Sequence, residues 1–375
     1  MKIKLLMINI IIMMYIFVLP AAAQELSPEE IIPRLYEESG ADELYGGLTD
    51  EADGFLDDIG FSGFLPDGVD DISPESVLSG ISNTLRENLA APLRALSCII
   101  GIIAVAAAFD AVKTSGASDE VLTLVTGLCA VSVAAPPLLD LTNDLCNAVD
   151  ASGRFMLIYV PVISGLTIAG GRESSGAAYC AAMIYVINAV TQAVSRIVVP
   201  LIKCVTAMSV ISSAGEGARL SGVTELFRKA ARFVLTFCMS LFAAFLTMRT
   251  IVAAAADSLT NRAVKFAVSS FVPLVGGALS DAYQTVLSCV GVLRAGVGAA
   301  AIAAVFAIFI PAAVRCAVWL SVTAFSAAVC DLFGVSRVSS LLRGLSGAVS
   351  VMLAVLMCVM VMYIISTAIL LIAAR

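Results

Sequence analysis

The segment Asn261–Gly298, NRAVKFAVSSFVPLVGGALSDAYQTVLSCVGVLRAGVG, decides how the chain is read. It opens as a basic amphipathic stretch with Arg262 and Lys265, passes through Phe271-Val-Pro-Leu-Val-Gly-Gly, and resumes helical spacing with Asp281 and Tyr283 among apolar residues. A plain membrane anchor needs none of this. Pro273 removes a backbone donor and Gly276 with Gly277 permits close backbone approach, so the apolar run is expected to kink or break there. Broken helices at membrane depth survive only where protein or a watery cavity covers the freed backbone groups. Pro273, Gly276, Gly277 and Asp281 are therefore the candidates for a helix break or conduit.

Outward from this segment, composition assigns the class. Hydrophobic residues make up 60% and charged residues 14% of the 375, against a soluble norm of roughly 45–50% and about 25%. The reading is an all-α polytopic membrane protein. Its charges are segregated: Gln24 to Ala90 carries 17 acids and 2 arginines, whereas Ala91 to Arg375 carries 18 basic residues and 12 acids. Three regions follow. Residues 1–23 read as a secretory signal, with Lys2 and Lys4, an apolar run from Leu5 to Leu19 and the small-residue site Ala21-Ala22-Ala23; an uncleaved anchor is the alternative. Residues 24–90 form a small acidic extracytoplasmic region of short helices, partly disordered until bound, in which Ser73-Pro-Glu-Ser marks a helix start. Residues 91–375 form the multi-pass domain.

Within that domain the apolar runs predict seven to nine membrane segments of about 20 residues each. Leu93–Val112 is the first and Val121–Leu141 the second, kinked at Pro136-Pro137. A polar connection from Leu141 to Arg154 separates them from Phe155–Gly170. Ala177–Ser213 is either two coupled segments joined near Arg196 to Lys203 or one long kinked helix. Phe233–Ala256, the central stretch, Val297–Val329 and Leu345–Ala373 complete the count. A hairpin at Arg196–Lys203 would put the basic residues Arg219, Arg228, Lys229 and Arg232 in the cytoplasm, in line with the positive-inside tendency. Charges inside apolar spans are costly enough to need a reason, which singles out Arg196, Lys203, Arg249 and Arg315, with Asp281 and Arg294.

Several chemistries find no support. The chain has no histidine, which removes the commonest general base and metal ligand. All ten cysteines lie beyond Ala90 without Cys-x-x-Cys spacing and read as apolar fillers. Gly344-Leu-Ser-Gly347 superficially matches the nucleophile motif of rhomboid-type intramembrane proteases, whose serine needs a histidine. No phosphate-binding loop, dinucleotide fingerprint or basic aromatic surface is present, so no enzymatic activity, cofactor, metal or nucleic acid is expected.

The order Val264-Lys265-Phe266, then Phe271-Val-Pro-Leu-Val-Gly-Gly-Ala-Leu-Ser-Asp-Ala, then two long apolar helices to the end, resembles the stage III sporulation protein AE family of endospore-forming bacteria. The resemblance runs from about Pro92 to the C-terminus. It implies an integral-membrane subunit of the channel or secretion-like complex that links mother cell and forespore, required after engulfment. It further implies a place in the cell membrane, as the mother-cell-derived outer forespore membrane, with the N-terminal region extracytoplasmic. The implied partners are the other stage III sporulation A operon proteins, indirectly the forespore stage II protein Q, a YidC-type insertase and the lipid bilayer. A self-contained secondary transporter, or a membrane scaffold, is the alternative.

Overall fold

A chain this apolar must satisfy its backbone polar groups internally, and within a membrane a helix does so using only its own segment. The computed structural model describes residues 28–112, 118–170, 173–214, 222–244 and 276–373, and every regular element among these is helical. The elements are α1 (Pro28–Glu38), a 3-10 helix (Ala41–Gly47), α2 (Asp50–Asp58), a 3-10 turn (Pro66–Val69), α3 (Pro74–Asn88), α4 (Ala90–Val112) and α5 (Ser118–Ala169). They continue with α6 (Glu173–Ala193), a π turn (Val194–Val198), α7 (Val199–Ala214), α8 (222–244), α9 (Gly276–Leu332) and α10 (Ser336–Ala373).

The acidic residues 28–88 fold into a helical lobe. Local chemistry starts two of its helices, one of them at the Ser73-Pro-Glu-Ser start read from the sequence. Ser73 accepts a hydrogen bond from the Ser76 backbone N–H while the Ser76 hydroxyl oxygen accepts from the Ser73 N–H, with Pro74 at the first helical position. Thr49 caps α2 through the Ala52 N–H. The lobe then buries Leu44, Leu56, Ile59 and Phe64 almost completely; each such side chain contributes about 1.5–3 kcal/mol relative to leaving it in water. These residues belong to the same apolar core as the long helices, so the lobe is docked on the bundle.

The long helices correct the expected span count. Five helical stretches among the described residues are long and apolar enough to cross a membrane, not seven to nine: Ala90–Ala108, Val125–Ala169, Cys180–Ile211, Gln284–Leu332 and Val338–Ala368. The expected second and third spans are one 52-residue helix, α5, which runs through Pro136, Pro137 and Pro161. The polar connection Leu141–Arg154 stays helical because its polarity is one-sided. Asp140, Asn143, Asn147, Asp150 and Arg154 are exposed at three- and four-residue spacing, while Leu141, Leu145, Ala148 and Val149 are buried. The stretch from 177 to 213 is one helical path through the π turn, with no hairpin at Arg196–Lys203. Of the expected span Phe233–Ala256, residues beyond 244 lie outside the described residues.

Helix α9, 57 residues long, is the axis of the bundle. It packs on α10, α5, α4 and the lobe, and Ala300, Ala301, Ala304, Val305, Ala307 and Phe309 on it have no exposed surface. The α9–α10 hairpin is tightly specified. Gly334, at φ +75°, lets the Val335 N–H reach the Cys330 carbonyl and its own N–H reach that of Asp331, the helix-ending pattern that favours glycine. Ser339 and Arg343, one and two turns into α10, then hold the Asp331 carboxylate.

Gly344 and Gly347 are a packing device. A Cβ on Gly344 would collide with Ser209 of α7, and one on Gly347 would lie 2.5 Å from Cζ of Arg228 on α8. The small residues thus admit two neighbouring helices to the backbone of α10.

Candidate functional site

The feature that sets this molecule apart from a plain helical bundle is the seat of the acidic lobe. Helices α5 and α9 run antiparallel: Asp144 of α5 meets Arg315 of α9, and Gly170, just past the end of α5, meets Val290. The lobe lies along this pair. At one end Pro66 presses on Gly296 so closely that a Cβ there would sit 2.5 Å from the proline Cα, a contact only glycine permits. In the middle Phe55 meets Phe306 with ring centroids 6.3 Å apart. At the other end Glu51 accepts a 2.6 Å hydrogen bond from Nη2 of Arg315.

An aromatic ladder ties the lobe to α5. Tyr45 and Phe61 stand edge-on to Phe64 at 5.0 and 5.3 Å, Phe64 stacks on Phe155 at 6.2 Å, and Phe155 stacks on Tyr159 at 6.2 Å. Each such pair contributes about 0.5–1.5 kcal/mol beyond the area it buries. Gly47 approaches the same phenylalanine: its Cβ would lie 3.1 Å from the Phe155 Cα. Farther out, Tyr36 donates its hydroxyl to the Ala41 carbonyl. Burial, with Tyr45 and Asp42 adding to it, pushes the Tyr36 phenol up to about 12.

Arg315 is the electrostatic centre of the seat. Besides Glu51, its Nε lies 3.4 Å from Oδ2 of Asp144, and the Arg315 and Asp144 side chains are each 23% exposed. One guanidinium thus bridges α9, α5 and α2. A planar fork with several donors suits this role in a way a lysine ammonium would not.

Lys203 and Arg196, two of the other charges expected inside membrane spans, stand near this level. Asp144 and Cys316 flank Arg315. On the other side of α5, Lys203 of α7 and Asp150 of α5 lie near Cys146, and Lys203 is exposed. Arg196, also exposed, stands in the π turn seven residues before Lys203. An exposed polar belt therefore crosses α5, the π turn and α7 near the level of Arg315.

The helix-break candidates lie at the edge of the described residues. Gly276 and Gly277 are the first residues of α9, and Asp281 lies in its second turn, with helix continuing unbroken to Leu332. Pro273 and Arg249 lie outside the described residues. Arg294 is half-buried on α9. Sequence reasoning missed Glu51, Asp144, Gly296 and the Phe64–Phe155 pair. The apolar patch Phe61-Ser-Gly-Phe-Leu signalled Phe64, and the helical spacing of the polar residues from Asp140 to Arg154 signalled that Asp144 stands on a helix. Nothing local announced Gly296, whose partner is distant in sequence.

Chemically, the seat holds and orients. Among the described residues no group of three cysteine or carboxylate side chains could hold a metal ion.

Comparison with known proteins fits this architecture. The family model described as Stage III sporulation protein AE matches residues 61–374. A curated relative, Stage III sporulation protein AE of Bacillus subtilis (strain 168), is 25% identical over 224 residues, which is 60% of this chain and 56% of that protein. The chain thus aligns with little more than half the length of this relative. No solved structure matches. The match across most of the chain, on an all-helical bundle with several membrane-crossing helices, makes it a member of the stage III sporulation protein AE family.

Proposed function

We propose that this protein is the membrane platform of a channel or secretion-like complex joining mother cell and forespore, required for sporulation after engulfment. The acidic lobe would face the space between the two membranes and present partners with a rigidly oriented surface. The observation that carries this reading is the seat itself. A region with 17 acids against 2 arginines is fixed to α5 and α9 by an aromatic ladder, a glycine contact and the Arg315 bridge. A module that served only to keep the chain soluble would need no such seat.

Family membership supports the sporulation role. The partners we assign are the other stage III sporulation A operon proteins and, through them, the forespore stage II protein Q, with a YidC-type insertase in assembly. The location we assign is the outer forespore membrane. Close packing of α9 by fully buried alanines favours a load-bearing axis over the mobile gate of a self-contained transporter.

Deletion of the gene in its own host is expected to arrest sporulation after engulfment, and complementation with the full chain to restore it. Phe64→Ala, which empties a fully buried aromatic site at a cost of about 3–5 kcal/mol, is expected to reduce co-purification of partners from sporulating cells while the bundle still inserts. Normal spore yield on deletion, or solute flux through the purified protein alone in liposomes, would overturn the proposal.

A further inference from the structure

We infer that the bilayer covers only one end of the long helices, from the level of Arg315 to the α9–α10 turn. The rest, with the acidic lobe against it, stands outside the hydrocarbon as a helical stalk. The inference does not depend on the sporulation role. It begins with length. Helix α9 has 57 residues and α5 has 52, so at 1.5 Å per residue they run about 85 and 78 Å. A hydrocarbon core is only about 30 Å thick. More than half of each helix must project.

The lobe excludes the level between Gly296 and Arg315. It contacts α9 at Gly296, Phe306 and Arg315, a stretch of about 28 Å. Exposed carboxylates such as Asp50, Asp57 and Asp71 stand on its surface, and a surface carrying so many short ionised side chains, which unlike lysine and arginine cannot reach far towards the interface, is too costly to set against lipid tails. A bilayer is planar, so the level occupied by the lobe cannot be hydrocarbon for the helices beside it.

The end beyond Arg315 has the dimensions of a membrane. Arg315 to Leu332 of α9 spans about 26 Å, and the 23-residue α4 spans about 34 Å. Helix α4 descends from the lobe into this region, because its end at Val112 joins the start of α5 through residues 113–117 alone. Its outer face presents Leu93, Ile100 and Val105, and α5 presents Val125, Leu128 and Leu139. At the boundary comes the polar belt of Asp140, Asn143, Asn147, Asp150, Arg196 and Lys203. Of the charges expected to be intramembrane, Arg196, Lys203 and Arg315 are, in this arrangement, interfacial. Beyond the belt, the high hydropathy of α9 around Ala300, Ala301, Ala304 and Ala307 reflects burial in protein, while Val286 and Val292 are exposed.

The test uses the full chain in lipid nanodiscs, where both faces meet the reagent, with a membrane-impermeant maleimide and mapping of labelled positions by mass spectrometry. Cys98 and Cys129 are exposed on the protein surface but in the lipid-covered end; Asn188→Cys and Ser288→Cys place thiols at exposed positions of the stalk, on α6 and α9. The reactive thiolate forms in water, so the two stalk thiols are expected to label on the order of tenfold or more faster than Cys98 and Cys129. All four should label once the bilayer is removed and the chain unfolded. Retained protease resistance of the lobe checks that each variant is folded. Stalk thiols as sheltered as Cys98 and Cys129 in the folded variants, or Cys98 and Cys129 as reactive as the stalk, would overturn the inference.

Discussion

Replacing Arg315 by methionine separates the charge of the seat from its packing, because methionine keeps an apolar stem where the arginine carbons lie. The two ion pairs are unequal. Glu51 is 60% exposed, so solvent screening and side-chain entropy leave its share below about 1 kcal/mol. Asp144 is 23% exposed and has Glu51 and Asp140 nearby. Removing its cation leaves a shielded carboxylate among others of like charge, at a cost of about 2–3 kcal/mol. The total for Arg315→Met is therefore about 3 kcal/mol, and a tenfold population change takes about 1.4 kcal/mol. Native-state proteolysis of the lobe in nanodiscs reads this as a rise of about a hundredfold in cleavage rate, provided closing outpaces cleavage. Glu51→Gln should raise the rate less than about tenfold. Asp144→Asn added to Arg315→Met should recover much of the loss, since no uncompensated charge remains. Equal effects of Arg315→Met and Glu51→Gln, or strictly additive effects in the double variant, would refute the assignment of Asp144 as the principal partner.

Three further outcomes are expected. Gly296→Leu drives a side chain into the Pro66 backbone, which cannot yield as a flexible side chain would; the lobe should loosen by about 1–3 kcal/mol in the same proteolysis assay while the α9–α10 hairpin stays intact. Ser73→Ala removes the reciprocal cap of α3 and should cost about 1 kcal/mol, read as faster amide exchange in the first turn of that helix. The Tyr36 phenol is held in its neutral form up to about 12 in the folded lobe, above its value of about 10 in an unfolded chain. Its contribution is thus fully present below pH 10 and is lost as pH rises from 10 through 12. Tyr36→Phe should flatten the alkaline loss of lobe protection over that window, and an unchanged pH profile would count against this cause.

Composition alone determines that lipid is the solvent for much of this chain, that the fold is helical, and that histidine-based chemistry is absent. The helix start at Ser73 was equally legible, because a cap is a contact between residues three apart. What hydropathy could not decide was how many crossings the apolar residues build. Val121–Leu141 and Phe155–Gly170 read as two spans because a polar stretch divides them. They are one helix because that stretch places Asp140, Asn143, Asn147, Asp150 and Arg154 on a single outward face. Likewise Arg315 stood out as a costly charge, but its acids are supplied by Asp144 and by Glu51, distant in sequence. Only tertiary structure brings them to one guanidinium. The physical reason is common to both: an apolar side chain has the same transfer free energy whether lipid or protein covers it, so which of the two does so is decided by packing between distant segments.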